Sequence, residues 1–130
     1  MAGNKHIYKG VQFDSDWELY VFKVLEKMNF KTTPHPGEFL INEAFEVERL
    51  NGKNKKIRKM VYSPDFIIEA EWLKKPIIID TKHGIITKDY MIRKKCFLVK
   101  YAKDYYYEEI SNEKELQELI IEIEKQRRNK

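Results

Sequence analysis

Apolar positions change their period several times along this chain, and each change marks an element. Ser15-Asp16-Trp17-Glu18 has the S-x-x-E form of a helix start, where hydroxyl and carboxylate satisfy the first free backbone N–H groups. Behind it Trp17, Val21, Val24, Leu25 and Met28 recur at helical spacing, which predicts a helix ending near Asn29. Pro34-His35-Pro36-Gly37 then turns the chain. Residues 44–50 alternate moderately and run into Asn51-Gly52, a hairpin dipeptide because both residues tolerate positive φ. A returning strand is expected from about 57, through Val61, to 68. After polar residues 71–75, Pro76 opens Ile77-Ile78-Ile79-Asp80, whose β-branched character suits a central strand; Gly84 breaks it.

Residues 88–101 read as a helix with Tyr90, Met91, Phe97 and Leu98 on its apolar side, and Tyr105-Tyr106-Tyr107 as a short strand. Asn112-Glu113-Lys114-Glu115 is a second capping signal. Leu116, Leu119, Ile120 and Ile123 follow at i, i+3, i+4 and i+7, the stripe of an amphipathic last helix. The order α-β-β-β-α-β-α predicts a mixed α/β fold with strands in the middle and helices over them. A chain of 130 residues has the size of one domain, so residues 1–130 are expected to share a single core.

Charge sharpens this picture only where it clusters. There are 25 Lys+Arg against 21 Asp+Glu, a net +4. The cations gather at 53–59, 88–100 and 125–130, the footprint a phosphate backbone requires. Cys96 is the one cysteine, so no internal disulfide forms, and a structural, partly buried thiol is expected. His6, His35 and His83 have no zinc spacing with one another or with Cys96. The first residues carry no apolar run, and Ile77-Ile78-Ile79 is far too short to span a bilayer, so the expected location is the cytoplasm.

The chemistry concentrates in two segments. In a strand, alternate side chains share a face, so Asp80 and Lys82 lie together with Ile78 behind them, while Ile79 and Thr81 point the other way. In Tyr62-Ser63-Pro64-Asp65-Phe66-Ile67-Ile68, Asp65 is the acid ahead of three apolar residues. If the two strands are neighbours, Asp65 and Asp80 approach each other and repel unless a cation intervenes. Mg2+ suits hard oxygen ligands plus a substrate phosphate, and Lys82 would stand beside the attacking water. The run Thr87, Lys88, Tyr90, Arg93, Lys94, Lys95, directly after that strand, is expected to grip phosphates, with Arg93 and Lys94 the best candidates.

Pro64-Asp65, followed fifteen residues after that acid by Asp80-Thr81-Lys82, resembles the signature of the PD-(D/E)XK nucleases. Phe13-Asp14-Ser15-Asp16-Trp17-Glu18, Tyr62-Ser63-Pro64-Asp65-Phe66 and Thr81-Lys82 resemble small phage endonucleases and phage endonuclease I-type junction resolvases, over about residues 8 to 109. The resemblance implies a restriction-endonuclease-like αβββαβ core with a mixed central sheet, here with an extra C-terminal helix. It implies a Mg2+- or Mn2+-dependent endonuclease that cuts DNA by water attack, with branched or junction DNA as substrate and a homodimer as assembly. By that resemblance Glu18, Asp65 and Asp80 are metal ligands, the Thr81 carbonyl is a further ligand, and Lys82 positions the water. Thr87, Lys88, Tyr90, Arg93 and Lys94 would contact DNA. Asp80 stands where Glu is commoner, one methylene shorter, and His83 separates Lys82 from Gly84.

Blander readings compete for each feature. Glu18 also fits as the last residue of a capping box, although it borders the apolar face of its helix. A D-x-K triplet alone is a strand-end salt bridge, and a basic helix face can be merely solvated. For the whole chain the alternatives are an inert nucleic-acid-binding module on the same fold, and a partner-binding protein that docks through residues 112–125.

Overall fold

The computed structural model describes residues 6–82 and 86–129. Its first half runs β1 (Ile7–Tyr8), β2 (Val11–Gln12), α1 (Asp16–Lys27), β3 (Lys31–Pro34), β4 (Phe39–Asn42), β5 (Phe45–Glu48) and β6 (Asn54–Ile57). Its second half runs β7 (Met60–Tyr62), β8 (Phe66–Glu69), β9 (Ile77–Thr81), α2 (Lys88–Tyr101), β10 (Tyr106–Ile110) and α3 (Glu113–Arg128). The fold is mixed α/β with a C-terminal helix, as the pattern of apolar residues predicts.

One sheet organises it, in the order β10-β9-β8-β3. β3 and β9 each pair antiparallel with β8, whereas β10 runs parallel to β9. A parallel neighbour needs a crossover, and α2 supplies it. The elements that build and flank this sheet follow the order α1-β3-β8-β9-α2-β10, an αβββαβ core, with α3 added after it.

The alternation along β9 separates two apolar clusters. Ile77 and Ile79 face the main core, where α1 contributes Val21 and Leu25 and α3 contributes Leu116, Leu119, Ile120 and Ile123. Ile78 faces the opposite side and packs with Tyr62 of β7 and Phe97 of α2. Asp80 has the parity of Ile78, so it emerges on the α2 side at the end of the strand. Both helix starts follow their expected capping: the Ser15 hydroxyl accepts from Glu18 N–H, and the Asn112 side chain accepts from Glu115 N–H. α1 stops at Met28, and Asn29 takes the left-handed conformation (φ 62) that closes many helices.

Three boundaries differ from the pattern-based expectation. The first strand of the sheet is β3, within the stretch expected only to turn. Lys31-Thr32-Thr33-Pro34 has no apolar signature because it is an edge strand, and an edge also tolerates Pro34. The expected strand over 57–68 is three pieces. β6 pairs with β5, β7 with β4, and only β8 enters the main sheet; Pro64, lacking an N–H, sits at the last break. The Asn51-Gly52 hairpin therefore lies outside the central sheet. Gly84, the expected strand breaker, and His83 lie outside the described residues. Among the described residues no helix is long and apolar enough to cross a membrane.

Phe97 is the keystone of the α2 side, 1% exposed and stacked on Tyr62 (centroids 4.4 Å apart) and Tyr101 (5.1 Å). Phe97→Ala should cost about 3–5 kcal/mol in urea unfolding, the usual range for a buried aromatic replaced by Ala. Val99→Ala on the same helix, at a residue 90% exposed, should stay within about 0.5 kcal/mol of the parent. Equal losses at the two positions would contradict this packing.

Candidate functional site

Breaking the chain at Pro64 delivers Asp65 to the start of β8, beside the end of β9. Its N–H donates to the Ile79 carbonyl (3.1 Å) and to Asp80 Oδ1 (3.3 Å). Its Oδ2 accepts from Thr81 N–H (2.7 Å) and from the Thr81 hydroxyl (2.8 Å). Asp65 and Asp80, expected to meet if their strands were neighbours, do meet. Burial raises the pKa of Asp65, and the two Thr81 hydrogen bonds oppose that rise without cancelling it.

Asp80 is 4% exposed. Its Oδ2 accepts from the Tyr90 hydroxyl (2.7 Å) and the Tyr107 hydroxyl (3.2 Å). Burial again pushes its pKa up, against these tyrosine hydrogen bonds. Both phenols are themselves raised, by burial first and then by the adjacent carboxylate.

Glu18 comes from the first turn of α1 and is 2% exposed. Its Oε1 is buried without a hydrogen bond, 3.4 Å from His35 Nε2. That nitrogen lies 2.9 Å from the Gln12 carbonyl, an acceptor only, so it carries a proton there. Burial, then the charges of Asp65 and Asp14, push the Glu18 carboxyl up to about 8. The S-x-x-E motif thus serves half as a capping box: Ser15 caps, while the carboxylate of Glu18 looks inward.

Asp14, Glu18 and Asp65 each place a carboxylate oxygen within 4.8 Å of the others, a group that could hold a metal ion. Asp14 is the member that sequence reasoning missed. It lies four residues before Glu18, next to Phe13, whose buried ring (1% exposed) anchors the segment. Asp80 is outside this group and joins it through the backbone of Asp65.

Lys82 Nζ lies 2.8 Å from Glu109 Oε2 on β10, which also accepts from Lys94 Nζ (2.7 Å) and lies 3.0 Å from the Tyr107 hydroxyl, whose single proton is shared between Glu109 and Asp80. Burial alone would raise the Glu109 carboxyl, but the hydrogen bonds of these lysines and this phenol outweigh it and hold its pKa below the ordinary value. Glu109 was not among the expected residues, and nothing in its local sequence marks it; only the parallel register, which sets it opposite Asp80, brings it here. A cleft of about 230 Å³ opens over Asp65, Asp80, Thr81 and Lys82, walled by Ser63, Thr87 and Tyr90. A larger one, about 680 Å³, lies at the opposite end of β8 and β9 beside Lys31, Glu69 and Trp72, away from the acidic group.

The residues expected to grip phosphate are differently disposed. Thr87 is the N-cap of α2 and accepts from Tyr90 N–H (3.1 Å). Tyr90 donates to Asp80, Arg93 pairs with Asp89 (2.8 Å), and Lys94 pairs with Glu109. Lys88 alone among these five has no side-chain partner among the described residues.

A family model described as "Protein of unknown function (DUF1064)" matches residues 2–111. The chain belongs to this family. No curated protein and no solved structure matches it. The DUF1064 span takes in every residue of the site, from Asp14 to Glu109, and ends before α3. The last helix, which fills the main core, thus lies outside the matched region.

The raised pKa of Glu18 makes the stability of this DUF1064 chain depend on pH. An unfolded chain releases that proton near 4.5, whereas the folded one keeps it to about 8. Between those values the unfolded state binds fewer protons, so the metal-free protein loses stability as pH rises through that window. Glu18→Gln removes the titration and keeps the shape. In chelator, its thermal midpoint should exceed the parent's at about pH 8.5 and match it at about pH 4. A lower midpoint at the alkaline end would show that a partner compensates the carboxylate.

Proposed function

We propose that this chain is a metal-dependent DNA endonuclease that hydrolyses phosphodiester bonds with Mg2+ or Mn2+. The observation that carries the reading is the convergence of three carboxylates, one with an unpaired buried oxygen, of which Asp65 also lines an open cleft with Asp80 and Lys82. Like charges so placed are unfavourable without a cation. The donors are all hard oxygens, which suits Mg2+ or Mn2+ over softer metals.

In this reading Asp14, Glu18 and Asp65 hold the ion, with Asp80 and the Thr81 carbonyl as further ligands. Asp80 Oδ1 accepts one hydrogen bond and keeps a second lone pair for this role. When bound, the ion makes a water more acidic and shields charge on the phosphate. The protein supplies the rest. Tyr90 and Tyr107 fix the rotamer of Asp80, Thr81 fixes that of Asp65, and the Lys82 ammonium faces the charge that develops on phosphate. Glu109 holds that ammonium at the cleft. The order αβββαβ, with the acids on the strands that the motif resemblance requires, supports the same reading. The substrate we assign is DNA, with branched DNA and phage DNA processing in the host cytoplasm as its setting. A two-fold dimer would set two sites on one junction.

Asp65→Asn keeps an acceptor for Thr81 but removes a ligand charge, and should reduce cleavage by about 10³-fold or more. Lys82→Ala should lose roughly 10²–10³-fold in rate and bind DNA almost as tightly, because its interaction forms in the transition state. The substrate panel is linear duplex, single strand, flap, three-way and four-way junction, each with Mg2+ or Mn2+. Cleavage by Asp65→Asn at the parent's rate would overturn the assignment. Binding of the panel without cleavage of any member would make the protein an inert binding module.

A further inference from the structure

The ribbon made by β5 and β6 has no part in the core. These strands pair only with each other, every residue of β5 is exposed, and residues 43–59 contribute nothing to either apolar cluster. Its root, by contrast, is fastened. β4 and β7 lie under α2, where the Tyr101 hydroxyl donates to the Leu40 carbonyl (2.8 Å) and Phe39 meets Phe97 edge-on (5.5 Å). One residue past β7, Ser63 already lines the cleft. The ribbon is an arm rooted at the candidate site.

Its charge is one-sided. Residues 45–59 hold six cations, Arg49, Lys53, Lys55, Lys56, Arg58 and Lys59, against Glu46 and Glu48, an excess equal to the net +4 of the whole chain. Lys59 pairs with Glu38 at 3.7 Å; the other five have no ion pair among the described residues. That contrasts with Arg93, which pairs with Asp89, and with Lys94 and Lys82, which share the single Glu109 carboxylate. The tip adds Leu50, fully exposed, and Phe45 and Val47 share one open face of the ribbon.

We infer that the β5–β6 ribbon is a duplex-DNA-binding arm that supplies the phosphate contacts for which Arg93 and Lys94 of α2, held by Asp89 and Glu109, are not free. A two-stranded ribbon fits the major groove of B-form DNA, and the unpaired cations of the connecting loop (Arg49, Lys53), of β6 (Lys55, Lys56) and just past it (Arg58) match its flanking phosphates, while β5 itself carries none. The narrow major groove of A-form RNA would not admit it. A second copy of the arm would bring the same positive charge and be repelled. The inference rests on the proposed nuclease reading only for the choice of DNA as the polymer.

Binding is therefore measured apart from cleavage, in chelator, with the full chain, a labelled duplex DNA and salt varied from about 50 to 200 mM. The variant carries Lys53→Ala, Lys55→Ala, Lys56→Ala and Arg58→Ala. Because these side chains are exposed, its thermal midpoint should match the parent's. Its log affinity should depend less steeply on log salt, by about 0.9 for each phosphate no longer neutralised, with affinity down roughly ten- to a hundred-fold at the low-salt end. An unchanged slope and affinity would overturn the inference, as would a parent that binds no duplex, or one that prefers duplex RNA. A change in sedimentation with DNA binding unaltered would assign the arm to self-association instead. If the parent binds through the arm but cuts nothing, the arm stands and the nuclease reading falls.

Discussion

The two short hydrogen bonds from Thr81 to Asp65 Oδ2 hold together everything at the polar end of the sheet. They tie the residue that leads into β8 to the last residue of β9, while Asp65 returns its own N–H to Ile79 and to Asp80. The link is reciprocal: each strand end satisfies backbone groups on the other, so neither frays into solvent. From that fixed point Asp65 reaches Glu18 on one side, and Asp80 reaches Tyr90 and Tyr107 on the other. Without it, Pro64 would leave a loose break in the chain where three acids must be placed to within a few ångströms.

The chain itself offsets only part of the electrostatic cost of this arrangement, through the hydrogen bonds of Thr81 to Asp65 and of Tyr90 to Asp80. Among the described residues Glu18 and Asp80 are the charged residues buried with the core, and the pKa of each, like that of Asp65, is pushed upward by desolvation. Lys82 and Lys94 stand close by, yet both ammonium groups go to Glu109, a fourth acid at the edge of the cleft. A structure selected only for stability would pair its lysines with the deepest carboxylates or replace them with apolar residues. Local rules are broken in this way at functional sites, at a cost met elsewhere in the fold.

How much of this the residues announced depended on the range of each signal. Helices α1, α2 and α3 were legible because capping residues and apolar stripes are local, and α2 runs over the expected residues 88–101. Asp65, Asp80 and their approach were legible because strand parity and neighbour pairing need only short-range pattern. β3 was not, since an edge strand of Lys, Thr and Pro buries little and so carries no hydrophobic signature. Asp14 and Glu109 were not either. Asp14 joins Glu18 through the turn before a helix, and Glu109 reaches Lys82 through a parallel register that no local pattern specifies. Arg93 and Lys94 show the converse: a basic run looked free in sequence because its acidic partners, Asp89 and Glu109, become partners only in space.

That converse changes where positive charge is available on the molecule. A cation already bonded to a carboxylate must give up that bond before it can neutralise a phosphate, so its net contribution to binding is small. Of the lysines and arginines in the insertion between β3 and β8, only Lys59, paired with Glu38, meets such competition among the described residues. The insertion leaves the sheet after β3, returns through β7 directly into Ser63-Pro64-Asp65, and closes on itself through the β4–β7 pairs. Since its ends are held by those pairs, lengthening or charging the ribbon beyond them costs the core little, because closure entropy grows only slowly with length. The fold thus separates two features that conflict within one surface: buried acids that could hold a metal ion, and cations without an acidic partner. The acids are gathered where α1 meets the polar end of the sheet, and the cations are carried clear of it on the ribbon.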